Sequence, residues 1–279
     1  MTPLPAPRSC TTAAATGTVY DHGAHVVEWT PEGHRPVLWM SAASMLETGR
    51  PIRGGVPICF PWFGAGPDGD RAPAHGFARI TAWDLVSHIS TGAGTDLEFL
   101  LCSPGTPEFP HPLEARYRMH LGSRLRLALE VTNTGTERLT YEAALHTYLA
   151  VSDIRGVTVS GLAGAEYLDK APGAAGSRNV QVGDITFIGE TDRVYTSAAD
   201  VVITDPGLGR RVTVRKSGSA NTVVWNPWID KAAAMPDFGD DEWPGMLCVE
   251  GANVLDRSVT LAPGTSHTMG YTLIVEHLG

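Results

Sequence analysis

The 279-residue sequence predicts an all-β protein built from antiparallel sheets, a sandwich or a barrel. Three observations predict it. Short runs of β-branched and aromatic residues recur along the chain, and 31 glycines and 20 prolines supply the breaks between them. In RLRLALEV the leucines at 125, 127 and 129 alternate with Arg126, Ala128 and Glu130, which is the two-residue period of a strand with one buried face. No long stretch shows the 3.6-residue period of an amphipathic helix.

Taken in order, residues 1–16 are rich in proline, alanine and threonine and are expected to be a flexible lead-in to a single β-sandwich domain over residues 17–279. Residues 16–41 alternate strand-forming runs with Gly- and Pro-containing turns. Residues 53–64, RGGVPICFPWFG, place an arginine against two glycines and follow it with Pro57, Pro61 and three aromatics. The prolines exclude a helix interior or a central strand, so this segment is a rigid loop. WDLVSHISTGAGTDLEFLLC reads as strand, Gly-rich turn and strand, and residues 113–151 hold at least three strands. VVITDPGLGRRVTVRKSG forms a hairpin around Asp205, Pro206 and Gly207, and two late strands follow in residues 245–254 and 266–278. Only residues 40–47 and 229–235 could hold a turn or two of helix.

Composition narrows the function classes. A hydrophobic content of 43% with 18% charged residues is that of a soluble globular protein. A net charge of −9 without a dense basic run argues against a nucleic-acid surface, and an anionic small molecule would need a local arginine cluster. No stretch approaches the ~18 apolar residues of a membrane span, and the N-terminus lacks the apolar core of a secretory signal. A cytoplasmic location is expected. Cys10, Cys59, Cys102 and Cys248 are scattered, with no CxxC or zinc spacing, and read as reduced thiols, mostly in the core.

Four stretches could carry chemistry: Arg53 in its loop, PAHGFAR with His75 and Arg79, EAALHTYLAV with His146, and MLCVEGANV with Glu250. His146 lies in a run too apolar for an exposed strand, and is either a satisfied core histidine or a proton donor and acceptor. Glu250 follows Leu247, Cys248 and Val249 and precedes Gly251 and Ala252, which leave space beside it. A buried carboxylate is costly unless paired, so it is either half of a structural ion pair or, with His146, half of an acid/base pair.

IRGGVPICFPWFG, PAHGFAR, ALHTYLAVSDI, GLAGAEYLDK and VEGANV, in that order and spacing, resemble the aldose 1-epimerase superfamily, specifically its D-hexose-6-phosphate mutarotase branch, from about residue 17 to the end. The resemblance implies a β-supersandwich that interconverts the α and β anomers of a hexose 6-phosphate without metal or redox cofactor, and a monomer is expected. It implies His146 as the acid on the ring oxygen and Glu250 as the base on the anomeric hydroxyl. Asp169 would bind sugar hydroxyls, Arg53 and Arg79 would hold the phosphate, and His75 would line the pocket near the phosphate end. Some branch members carry glutamine before the HGFAR histidine, where this chain has Ala74. Two other readings are a mutarotase of unphosphorylated aldoses and a non-catalytic sugar-binding sandwich.

Overall fold

The computed structural model describes residues 2–279, and Met1 lies outside the described residues. The chain folds into two large antiparallel sheets of eight strands each, with a three-stranded sheet and a two-stranded ribbon beside them. The first large sheet runs, in spatial order, Thr158–Ser160, Val201–Asp205, Arg210–Ser217, Ser266–His277, Leu125–Asn133, Leu113–Gly122, Gly94–Ser103 and Asp84–Thr91. Its strands alternate as the sequence predicts. Leu125, Leu127, Leu129 and Val131 are buried while Arg126 is exposed. Each such leucine contributes about 1.5–3 kcal/mol of burial.

The second sheet holds the candidate site. Its order is Ser177–Val180, Glu166–Asp169, Thr191–Tyr195, Asn221–Asn226, Met246–Asn253, Ala143–Leu145 and Ile58–Cys59, and Tyr148–Ala150 also pairs with Met246–Asn253. Asn221–Asn226 and Met246–Asn253 are buried at every residue. One face of this sheet joins the first in a shared core that includes Val249, Leu247, Leu127 and Tyr271, and the Tyr271 hydroxyl donates to Val249 O at 2.6 Å. Polar side chains on the opposite face are therefore enclosed by loops rather than by a second sheet.

The hairpin expected at residues 205–207 joins Val201–Asp205 to Arg210–Ser217. A helix forms at Trp228–Ala234, but none forms at residues 40–47, where Met40 bridges to Gly54 and the Ser41 hydroxyl bonds Glu242 at 2.6 Å. Tertiary partners override a modest local propensity there. The lead-in is also not free. Arg8–Thr11 is a strand paired with Ala15–Tyr20, Cys10 is buried, and Arg8 makes a two-pronged bond to Asp21 at 2.6 and 2.7 Å. Alternation hidden in a Pro- and Thr-rich stretch explains the misreading. Cys59 and Cys248 are buried, Cys102 is exposed, and all four thiols are unpaired. No helix among the described residues is long and apolar enough to cross a membrane.

The Gly-Gly pair positions the loop at the sheet edge. Gly54 has φ +122° and Gly55 φ +59°, both in the region that favours glycine. A Cβ on Gly54 would come within 2.5 Å of Trp39 O, and one on Gly55 would collide with Val26 O. The two glycines let the loop bond neighbours on both sides, with Gly55 N donating to Trp39 O and Tyr148 N donating to Gly55 O. His25, wholly buried, supports the turn through a 2.8 Å bond between Nε2 and Gly54 O.

Candidate active site

Strand register brings the two principal candidates together. Leu145 pairs with Gly251 and Tyr148 with Cys248, so the intervening His146 stands directly opposite Glu250, and Glu250 in turn pairs with Val223. Cross-strand neighbours on one face are close enough for direct interaction. His146 Nδ1 lies 3.4 Å from Glu250 Oε1. The backbone breaks its ladder at this point, His146 N donating to Pro57 O at 3.0 Å, which ties the histidine to the Pro-rich loop. The His146 ring stacks on Tyr148, with centroids 4.7 Å apart and planes 7° apart, and meets Trp225 edge-on.

Burial governs the protonation of both groups. It holds the His146 imidazole well below its ordinary range, assisted by His75, Arg53 and Arg79, and pushes the Glu250 carboxyl well above its own, assisted by Asp192 and opposed by Lys170 and Arg79. Desolvation is the largest cause of both shifts. A neutral His146 beside a protonated Glu250 carries the same single proton as the ion pair, so the two arrangements differ only in where that proton sits.

These side chains floor a cavity of about 290 Å³. Its walls carry four basic side chains, Arg53, Arg79, Lys170 and Lys231, against the carboxylates of Asp192 and Glu250, a local excess of positive charge on a chain of net charge −9. His146 Nδ1, Glu250 Oε2, Arg53 Nε and Arg79 Nε are buried without a hydrogen-bond partner. Such atoms are rare in folded proteins and concentrate where a ligand completes the bonding. No group of three or more His, Cys, Asp or Glu side chains among the described residues is placed to hold a metal ion.

The other candidates separate. Arg79 is buried and lines the cavity, its Nη2 donating to Ala74 O at 2.7 Å. His75 also lines it, at φ +66°, held by its N–H to Gly64 O and by Gly64 N–H donating to its Nδ1 at 3.2 Å. Accepting at Nδ1 requires the neutral ring, and burial, Arg79, Lys170 and Arg53 all hold its pKa well below the ordinary value. Arg53 reaches the wall, but its Nη2 contacts both Asp237 carboxylate oxygens at 3.1 Å and its Nη1 donates to the Tyr148 hydroxyl at 2.9 Å. Asp169 lies away from the cavity. It pairs with Arg193, whose partner Val224 faces the core side, so the pleat turns Asp169 from the face that carries Val194, Val223 and Glu250. There it meets Arg193 at 3.4 Å and accepts from Ala171 N at 3.0 Å. Its neighbours on the cavity wall are Lys170 and Asp192.

The aldose 1-epimerase family profile matches residues 10–273. The chain belongs to that family. A relative from Escherichia coli K12, carried under the name of a candidate glucose-6-phosphate 1-epimerase, is 41% identical over 234 residues, which cover 82% of this chain and 77% of the relative. One from Cenchrus ciliaris with the same name is 37% identical over 259 residues, 88% of this chain and 77% of the relative. The crystal structure of a candidate mutarotase from Salmonella typhimurium superposes with a TM-score of 0.86 at 32% identity, covering 95% of this chain and 88% of that one. The chain is thus an epimerase on the galactose mutarotase-like fold.

Within this family member, the charged cavity residues that sequence reasoning missed are Lys170, Asp192 and Lys231. Lys170 adjoins Asp169 in the sequence, and only the parity of its strand separates a cavity residue from a core-side one. Asp192 and Lys231 gave no sequence signal, because charged residues in strands and short helices are ordinarily solvated. The contact of Lys231 Nζ with Glu190 at 2.9 Å and Asp192 at 3.8 Å is visible only in three dimensions.

Proposed function

We propose that this protein interconverts the anomers of a hexose 6-phosphate, glucose 6-phosphate being the first candidate, by acid/base-catalysed opening and closing of the sugar ring. The observation that carries the reading is the His146–Glu250 pair, 3.4 Å apart on the floor of a cation-rich cavity. Glu250 takes the proton from the C1 hydroxyl while His146 gives one to the ring oxygen. The C1–O5 bond opens, the aldehyde turns about C1–C2, and the ring closes on its other face with the proton transfers reversed.

The protonation balance suits this cycle. Opening converts the ion pair into a neutral imidazole and a carboxylic acid, the forms that burial favours, while closure regenerates the ion pair. In each half-reaction the pair takes one proton from the sugar and gives one to it, so the pair's total is unchanged. Positioned acids and bases supply about 10²–10⁴-fold each, which fits a reaction that already proceeds in water. Four unpaired thiols fit a reducing compartment such as the cytoplasm.

A second reading, action on unphosphorylated aldoses, draws on Ala74 and on the engagement of Arg53 by Asp237. Anomer-exchange NMR separates the two. Saturation transfer between the α and β C1 protons should be accelerated for glucose 6-phosphate at enzyme concentrations that leave glucose close to its spontaneous rate. Equal acceleration of both sugars overturns the phosphate assignment, and acceleration of neither overturns the catalytic one.

A further inference from the structure

The loop of residues 53–64 borders two cavities. Arg53 and Phe63 line the catalytic one, whereas Pro61 and Trp62 line a second, of about 280 Å³. The second cavity carries two arginines, Arg71 and Arg138, and neither side chain makes an ion pair or a hydrogen bond among the described residues. Its one carboxylate among those residues, Glu142, is buried and committed to the backbone. Oε2 accepts from Phe63 N at 3.0 Å and Oε1 from Leu255 N at 2.6 Å. Both guanidinium groups therefore keep their charge and their N–H edges for a ligand.

Packing places Arg71 without neutralising it. Its guanidinium lies over the Trp62 ring at 5.6 Å and the Phe109 ring at 5.9 Å, and a ring face holds a cation while leaving its outer N–H groups free. The stem of the side chain rests on Gly66, where a Cβ would come within 2.7 Å of Arg71 Cδ. Pro61, Pro110 and Leu255 add apolar surface to the lining. A charged fork set among apolar walls suits an anion that carries an apolar body better than a bare ion. The cavity is also tied to the catalytic one at two points. Glu142 holds Phe63 by its N–H, and the Trp62 indole donates to Pro73 O at 3.0 Å, immediately before the cavity residues Ala74 and His75.

We propose that the cavity beside Trp62 is a second ligand site, which takes a small organic anion with its oxyanion group on Arg71 and Arg138. The body of the ligand packs against Pro61, Pro110 and Leu255. Phosphate esters and carboxylates share the required chemistry, since either matches the planar fork of an arginine. Occupancy is felt in the catalytic cavity through Phe63 and His75, and by linkage a sugar in the catalytic cavity alters affinity at the second site by the same factor. The binding half stands apart from the anomer-exchange reading, whereas an effect on turnover rests on it.

Nitrogen-15 NMR of the whole protein reads the two cavities separately, because Trp62 borders one and Trp225 the other. Their indole N–H signals are assigned with Trp62→Phe and Trp225→Phe. The probes are phenyl phosphate and benzoate, each an oxyanion on an apolar ring. At least one should move the Trp62 signal to saturation with a Kd of about 1 mM or tighter. Phenyl phosphate alone marks a phosphate-ester site, benzoate alone a carboxylate site, and both a site for either. Arg71→Met and Arg138→Met should each weaken that titration at least about 10-fold with circular dichroism unchanged, and Arg138, being exposed, tests the site even if Arg71→Met fails to fold. Coupling appears as a Trp225 shift and a change in anomer-exchange turnover of at least about threefold that follow the Trp62 midpoint and vanish with it in Arg138→Met. A Trp62 signal unmoved by either probe up to about 10 mM, or one that titrates unchanged in both folded variants, overturns the site. Saturation at Trp62 with Trp225 and turnover unmoved overturns the coupling and leaves the site. A wild-type protein that accelerates neither sugar removes the catalytic reading, while the two indole signals still decide binding and coupling.

Discussion

Two cross-strand histidine–carboxylate pairs occur among the described residues, one in each large sheet. In the first sheet Asp96 stands opposite His120, with His120 Nδ1 2.8 Å from Asp96 Oδ1; in the second His146 stands opposite Glu250 at 3.4 Å. The shorter contact is the exposed one. The His120 and Asp96 side chains are 22% and 57% exposed, those of His146 and Glu250 10% and 1%. Register alone makes such a pair, but removal of water is what changes its chemistry. Around His120 the solvent face is an ordinary lattice of surface charges, with Arg116 between Glu98 and Glu114 and Arg118 reaching Glu130. Around His146 each nearby charge acts on the pair because little solvent intervenes.

The comparison is broken most directly at the buried pair. Glu250→Gln and His146→Ala should each reduce anomer-exchange turnover by at least ~100-fold with the fold retained by circular dichroism. Turnover within a few-fold of wild type in either variant would remove that residue from the mechanism and make the pair as inert as its surface counterpart.

A second test concerns the support rather than the pair. Gly55 occupies φ +59°, and a methyl group there would collide with Val26 O, so Gly55→Ala should destabilise the fold by at least ~2 kcal/mol and displace the loop that receives the His146 N–H. Urea unfolding measures it. A midpoint equal to wild type would show that the loop does not need its left-handed turn.

The third sharpens the role of burial through pH. Burial holds His25, behind the Gly54 turn, down at about 3 against an ordinary 6.5, and His75 and His146 are lowered in the same sense. The unfolded chain takes up protons that the folded one refuses, so these groups leave stability intact above pH 6.5 and drain it as pH falls toward 3. Glu250 acts oppositely: its raised folded pKa favours the native state at low pH, and that contribution is lost as pH rises from 4.5 through the folded value. Three histidines outweigh one carboxyl, so the urea midpoint should fall between pH 6.5 and pH 5. His25→Asn, which keeps a donor for Gly54 O, should flatten that slope. An unchanged slope would mean that His25 titrates normally in the fold.

What could be read from the sequence follows the same division. The alternating strands of the first sheet were legible because one face is wet. His146 and Glu250 were legible because a charge-bearing group inside an apolar strand needs a reason. The face of Asp169 was not legible because it depends on a register set by Arg193 and Val224, and Lys170 was passed over beside it. The partner of Arg53 could not be read at all, since Asp237 lies 184 residues further along the chain. Residues 1–16 misled through composition, which conceals the inward Cys10 and Ala15.

The smallest effect is expected at the exposed pair. An open groove of about 250 Å³ borders it, lined by Asp96, His120, Arg126 and neighbours, so a histidine, a carboxylate and a concavity coincide there too. What differs is access of water to both side chains, which lets solvent compete for every bond and screens the charges. Breaking such a pair typically costs about 0.2–1 kcal/mol, and a double-mutant cycle of His120→Asn with Asp96→Asn should fall in that range by urea unfolding. Anomer-exchange turnover of either variant should stay within about twofold of wild type, because neither group reaches the cavity that holds His146 and Glu250. A tenfold loss of turnover in His120→Asn would show that the two sheets are coupled through the shared core, and that burial alone does not separate the working pair from the idle one.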